Sequence, residues 1–263
     1  MSENKLKSID SPLYSFPKIR KVKPSIIINW LHAGVTDTRR AGLASLFYGI
    51  VFAAAGQLMQ VIFAESHALF AGLTTGFILL GPFLALGFYD MSRRMELGEQ
   101  PNLSLSLFAW RTNILNVGLF AGLLAIVVLI WSRVSLVIFA LFYEGGLPTF
   151  NDVVLNVITL KQPTFTFVYF ALGGLFAAFV FGISVISLPL MIDRKIDAIT
   201  ASIYSIVTCV RNPFTMLLWG FCIVVLVGFG FATNFLGLII TMPIIGHATW
   251  HAYRDVVELE TLS

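Results

Sequence analysis

The stretch Leu79-Leu80-Gly81-Pro82-Phe83-Leu84-Ala85-Leu86-Gly87-Phe88-Tyr89-Asp90-Met91-Ser92-Arg93-Arg94 decides how this chain is read. An apolar helix carries a proline, runs out into an aromatic residue and an acid, and stops at paired arginines. An amphipathic stretch and another apolar helix follow it. Versions of this arrangement recur along the chain. Membrane-crossing helices that end in basic residues on one face account for them.

Composition points the same way. Of 263 residues, 57% are hydrophobic and only 12% are charged, and the mean hydropathy is +0.87. Soluble domains carry about 25% charged residues. The net charge of +3 is small, and no basic run interleaved with aromatics marks a nucleic-acid surface. Cys209 and Cys222 sit in apolar surroundings and read as small hydrophobes, without a CxxC motif or a disulfide framework.

Outward from the opening stretch, the chain divides by its charges. Residues 1–24 hold Lys5, Lys7, Lys18, Arg20, Lys21 and Lys23 with Pro12 and Pro17, which predicts a disordered basic cytoplasmic tail. No apolar h-region follows, so a cleavable signal is not expected. In residues 25–40 the spacings Ile26/Trp30 and Ile27/Leu31 put an apolar stripe on a helix too short and too polar to span. It is expected to lie on the cytoplasmic surface. Residues 41–64 carry no charge, and about 20 such residues cross a bilayer; this is span one. Residues 68–89 return as span two, with a kink at Pro82.

A second surface helix is expected over 103–111 and a third over 197–211. Spans three and four fall at 112–131 and 165–191. The apolar run 134–143 either extends span three or forms a separate surface or re-entrant piece. Residues 212–253 lack Asp, Glu, Lys and Arg and are long enough for two passes, spans five and six. Further kinks are expected at Pro189 and Pro243. Residues 256–263 are left as a C-terminal tail.

With both termini in the cytoplasm, every Lys and Arg except Arg133 and Lys161 falls on the cytoplasmic side. Each third of the chain (about 25–94, 102–195 and 197–255) also reads alike. A surface helix ending in Arg40, Arg111 or Arg211 leads into an outward span and a proline-bearing inward span. The expected fold is therefore an all-α, polytopic membrane helix bundle. It has six transmembrane helices, three cytoplasmic interfacial helices and a threefold hairpin pseudo-repeat within one transmembrane domain, residues 25–255.

Groups that could carry chemistry are few. His247 and His251 are four apart and share a helix face; with His32 they are the candidate cofactor ligands. No carboxylate or thiolate lies at ligand spacing with them, so packing beside Trp250 is the expected role, and neither a cofactor nor a metal is expected. Asp90 and Asp193 stand at span ends, where salt bridges to the surface helices would make a structural cytoplasmic clasp of Arg40, Asp90, Arg93, Arg111, Asp193, Arg194, Arg211 and Arg254. No charged residue lies in the middle of a span, as ion-coupled pumps usually require. No P-loop, GxSxG, HExxH or dinucleotide motif occurs, and an enzyme is not expected.

Several segments together resemble a known family. They are Trp30-Leu31-His32-Ala33-Gly34, Gly81-Pro82 with residues 89–94, Ser187-Leu188-Pro189-Leu190-Met191-Ile192-Asp193-Arg194, Arg211-Asn212-Pro213 and Gly246-His247-Ala248-Thr249-Trp250-His251-Ala252-Tyr253-Arg254-Asp255. They are similar to a family of bacterial integral membrane proteins of unknown function, some of whose members carry the label putative cytochrome c oxidase subunit. The resemblance implies a bacterial inner-membrane location. Of role it implies only that label; because the chain lacks the several mid-membrane histidines of a haem-copper catalytic subunit, the expected role is a non-catalytic accessory or assembly subunit of a respiratory, terminal oxidase complex, with membrane lipids and respiratory-complex subunits as partners. The alternative is a small transporter or channel for a neutral or lipid-like solute.

Overall fold

The computed structural model describes residues 18–65, 84–142 and 159–258. Pro82, most of the expected span two and most of the loop before Pro163 lie outside the described residues. The elements run β1 (Lys18–Ile19), α1 (Ile26–Ala41), α2 (Leu43–Glu65), α3 (84–96), α4 (Leu103–Ser106), a 3-10 turn (Ala109–Asn113) and α5 (Ile114–Phe142). There follow α6 (Pro163–Ser184), α7 (Ser187–Arg194), α8 (Ala198–Arg211), α9 (Pro213–Ala232), α10 (Leu238–Val256) and β2 (Val257–Glu258).

Among the described residues, four stretches are long and apolar enough to cross a membrane: Leu43–Val61, Leu103–Phe142, Pro163–Arg194 and Pro213–Ala232. Their outward surfaces suit hydrocarbon. Leu115 on α5 is 71% exposed, and Phe167 on α6 and Leu217 on α9 are each 74% exposed, a waste of apolar area in water. The run 134–143 is settled as an extension, because α5 passes through Ser132 and Arg133 to Phe142 without a break. Ser132 donates its hydroxyl to the Leu129 carbonyl at 2.8 Å, and Arg133 is exposed.

The surface helices expected from the sequence are helical in the structure. Asp197 caps α8 by accepting from the Thr200 amide at 2.9 Å. The stretch 103–111 departs from a single helix: Asn102 caps one short turn, and the chain tightens into the 3-10 turn. Before Pro189 the helix breaks at Val185–Ile186, and α7 starts again at Ser187. Pro189 has no amide to donate to the Val185 carbonyl four residues back, and at the break the Ile186 amide donates to the Ser205 hydroxyl of α8 at 3.3 Å. Pro243 stays inside a continuous α10.

The second half of α10 forms the centre of the packing. From Ile245 to Tyr253 only His251 is not buried. Helix α1 crosses it at Gly34, where a Cβ would come within 2.6 Å of the Ile244 carbonyl oxygen, and α2 crosses it at Gly49, whose missing Cβ leaves room for the Ile239 backbone. Trp30 of α1 meets Trp219 of α9 edge to face at 5.8 Å.

The two tails require correction. Within the segment expected to be a disordered tail, residues 18–24 are held. Lys18 and Ile19 pair antiparallel with Glu258 and Val257, and the Arg20 amide donates to the Val256 carbonyl at 2.7 Å. Buried Asn212, between α8 and α9, accepts from the Val22 amide at 2.8 Å and donates to the Arg20 carbonyl at 3.0 Å. Thr215 donates to the Val22 carbonyl at 3.0 Å. The start of the C-terminal tail is the strand that receives β1, with Val256 and Val257 buried. Even the nearest of these contacts joins residues 190 apart in sequence, which no local pattern reports.

Candidate functional site

A buried polar cluster stands where α1, α2, α3 and α10 meet. It starts from a charge in an apolar stripe: the buried side of α1 is Ile27, Trp30, Gly34, Asp37 and Ala41, one face at helical spacing. Ser92 on α3 donates its hydroxyl to Asp37 Oδ2 at 2.7 Å. The same hydroxyl lies 2.7 Å from His247 Nδ1, and His247 Nε2 lies 2.6 Å from the Ser45 hydroxyl on α2. His251, one turn further along α10, places Nε2 2.8 Å from Asp37 Oδ2.

One proton order satisfies every member. Since the Ser92 hydrogen goes to Asp37, Nδ1–H of His247 donates to Ser92, and Nε2 accepts from Ser45. His247 is then neutral with both ring nitrogens in use. Ser45 and His247 are fully buried, and Ser92 and Asp37 are 1% and 6% exposed. Burial opposes the Asp37 charge, but hydrogen bonds from His251 and Ser92 outweigh it and hold the carboxyl below its ordinary value.

A serine hydroxyl on a histidine nitrogen is the order of a nucleophile and its base. Here the hydroxyl is sealed between α2 and α10, and substrate would have to part them. Metal or haem ligation needs a free nitrogen lone pair, and Ser45 occupies the one His247 has. His32 is exposed on α1 and stands apart from the cluster. Among the described residues no group of three or more His, Cys, Asp or Glu is arranged to hold a metal ion. The arrangement is suited to tying four helices together.

The charged residues at the span ends form a second cluster. Tyr253 of α10 donates to Asp193 Oδ2 at 2.6 Å. Arg93, Arg194 and Arg254 approach the same carboxylate at 3.6, 3.6 and 3.7 Å. Glu96 holds Arg254 at 2.7 Å and accepts from the Trp250 indole at 3.1 Å. Arg94 takes Asp90 at 2.7 Å and Glu99 at 3.0 Å. The acids at the span ends thus meet arginines of the span ends. The surface-helix arginines go elsewhere: Arg40 is exposed, Arg111 lies 4.4 Å over the Phe108 ring, and Arg211 donates to the Ile19 carbonyl at 3.2 Å. The expected bridges from those helices to the acids at the span ends are therefore not made among the described residues.

Sequence reasoning missed Asp37, Ser45 and Ser92. Asp37 carried a readable signal, an acid inside the apolar stripe of α1; the serines carried none. No curated protein and no solved structure matches this chain. Residues 69–193, which span α3 to α7 and include Ser92, Arg93 and Asp193, match the model of a family described as "Predicted integral membrane protein (DUF2189)".

Proposed function

We propose that the protein is a non-catalytic component of the bacterial inner membrane, acting as an accessory or assembly subunit of a respiratory, terminal oxidase complex. One observation carries the reading. The residues best equipped for chemistry, His247, Ser45, Ser92 and Asp37, are spent on one another, while α5, α6 and α9 turn large apolar side chains outward. A chain built this way offers surface to neighbouring helices. The proposal keeps six crossings, the threefold hairpin repeat and both termini in the cytoplasm. The pairing of β1 with β2 supports an even number of crossings, since it brings both ends to one face. The test is purification from native membranes in mild detergent with mass spectrometry of what accompanies the protein. Respiratory subunits in constant proportion are expected; repeated isolation without them overturns the reading.

The transporter reading is favoured by one feature, an open apolar groove on α5 lined by Ile114, Leu115, Gly118 and Gly122 among others. It fits a lipid-like solute. Transfer of a fluorescent phospholipid between leaflets of reconstituted vesicles at the protein-free rate would remove it.

A further inference from the structure

From the arginines around Asp193 we infer a binding site for a phosphate-bearing anionic headgroup, formed by Arg93 and Arg194 with Arg254 beside them. Asp193 cannot satisfy the guanidiniums that surround it. Its Oδ2 already accepts from Tyr253 at 2.6 Å, and Arg93, Arg194 and Arg254 stand at 3.6, 3.6 and 3.7 Å, beyond charge-assisted hydrogen-bond length. Glu96 occupies Arg254. Arg93 and Arg194 approach Asp193 through Nε and are 36% and 39% exposed. A fork of N–H groups matches two oxygens of a phosphate. The nearby acids are already engaged: Asp90 and Glu99 by Arg94, Glu96 by Arg254 and Trp250.

A second observation places this cluster at headgroup level. Asn113 donates to the Met191 and Ile196 carbonyls at 3.1 and 2.9 Å. It fastens the 3-10 turn beside Asp193 and Arg194. That turn and its approach present Leu105, Leu107 and Phe108 outward, 50%, 39% and 50% exposed, with Arg111 over Phe108. On the other side α8 turns Ile199, Ile203, Ile206 and Val210 outward and buries Ala198, Ala201, Ser205 and Thr208. Two outward apolar stripes flank the arginines, as for elements lying in a bilayer interface, where lipid phosphates sit.

The experiment uses the full chain in nanodiscs of phosphatidylcholine containing one tenth phosphatidylglycerol. Native mass spectrometry reads the lipid retained after release, with and without 10 mM inorganic phosphate. The wild type is expected to retain phosphatidylglycerol over phosphatidylcholine, and Arg93→Gln/Arg194→Gln to lose about tenfold of that preference. Phosphate that displaces the lipid assigns the site to free phosphate; phosphate without effect assigns it to the lipid headgroup. If the double variant fails to fold, Arg93→Lys/Arg194→Lys keeps the charge without the fork and is expected to lose part of the preference. Equal retention of the two lipids by the wild type, or an unchanged preference in the folded variant, overturns the inference.

Discussion

His247 Nε2 lies 2.6 Å from the Ser45 hydroxyl, 202 residues away in sequence. Through Nδ1 and Ser92 the same ring reaches Asp37. Such a tie costs most when it is half removed. His247→Phe keeps a flat ring but strands the buried Ser45 hydroxyl, while Ser92 still donates to Asp37, and is expected to destabilise by about 1–3 kcal/mol. Adding Ser45→Ala to that variant is expected to recover part of the stability, because the stranded hydroxyl is then gone. Thermal unfolding in detergent reads the cycle. A double variant less stable than His247→Phe would count against the tie.

Asp37 links this cluster to pH. Its folded carboxyl lies below its ordinary value, with burial opposing the charge and the His251 and Ser92 hydrogen bonds prevailing. A depressed acid stabilises the fold above its unfolded pKa, about 3.9, and that contribution is lost as pH falls through the folded value. The melting temperature should therefore drop below about pH 4. Asp37→Asn should flatten the drop. Asp197, lowered by its hydrogen bonds to Thr200, works in the same window and leaves a residual slope. Identical profiles for wild type and Asp37→Asn between pH 3 and 6 would refute the assignment.

How much of this was legible depends on the range of the signal. Helices α1 and α8 were legible almost to the residue because apolar stripes and terminal arginines are local. The apolar runs that became α2, α5, α6 and α9 were legible from composition alone. The central place of α10 was not: its Gly, Ala, Thr and His residues are less apolar than those of α9, and only packing against Gly34 and Gly49 shows that it is the core. The clamp of Asn212 on residues 20–22 was equally silent. The Arg211-Asn212-Pro213 segment was singled out without its role. The arginines at the span ends were legible as a group, but which acid each would meet was not, since side-chain reach is settled in three dimensions.

Close crossings make a sharper test of α10. At Gly49 a Cβ would run into the Ile239 backbone, and at Gly34 it would press on Ile244 and Ala248. Gly49→Ala and Gly34→Ala are each expected to destabilise by about 1–3 kcal/mol, since backbone cannot move aside as a side chain can. Gly228→Ala, on α9 with open space around it, is expected to be neutral or mildly stabilising, by up to about 1 kcal/mol. Fluorescence-detected size exclusion after heating ranks the three. Equal behaviour would mean that α10 is not crossed where Gly34 and Gly49 stand.

The strap formed by residues 18–22 depends on Asn212, which bonds the Val22 amide and the Arg20 carbonyl. Asn212→Ala removes both and leaves the part-buried backbone groups without that partner. Opening of the strap should become easier by about 1–2 kcal/mol, making tryptic cleavage after Arg20 and Lys21 roughly tenfold faster. Cleavage after Arg133 serves as the internal reference. Strap cleavage at the wild-type rate would show that the β1–β2 pairing alone holds this segment.

That pairing has a consequence for topology. Lys18 pairs opposite Glu258, and with the proposed even number of crossings this places residues 18 and 258 on one side of the bilayer. Thiols placed at Ser2 and Ser263 should share one accessibility. The background is low: Cys209 is pushed up to about 11 by burial, which suppresses its thiolate, and Cys209→Ala/Cys222→Ala removes it entirely. In that background Ser2→Cys and Ser263→Cys should both react with a membrane-impermeant maleimide in inside-out vesicles, and neither in intact spheroplasts. The side that reacts tests the cytoplasmic assignment. Reaction of the two positions from opposite sides would contradict the strand pairing itself.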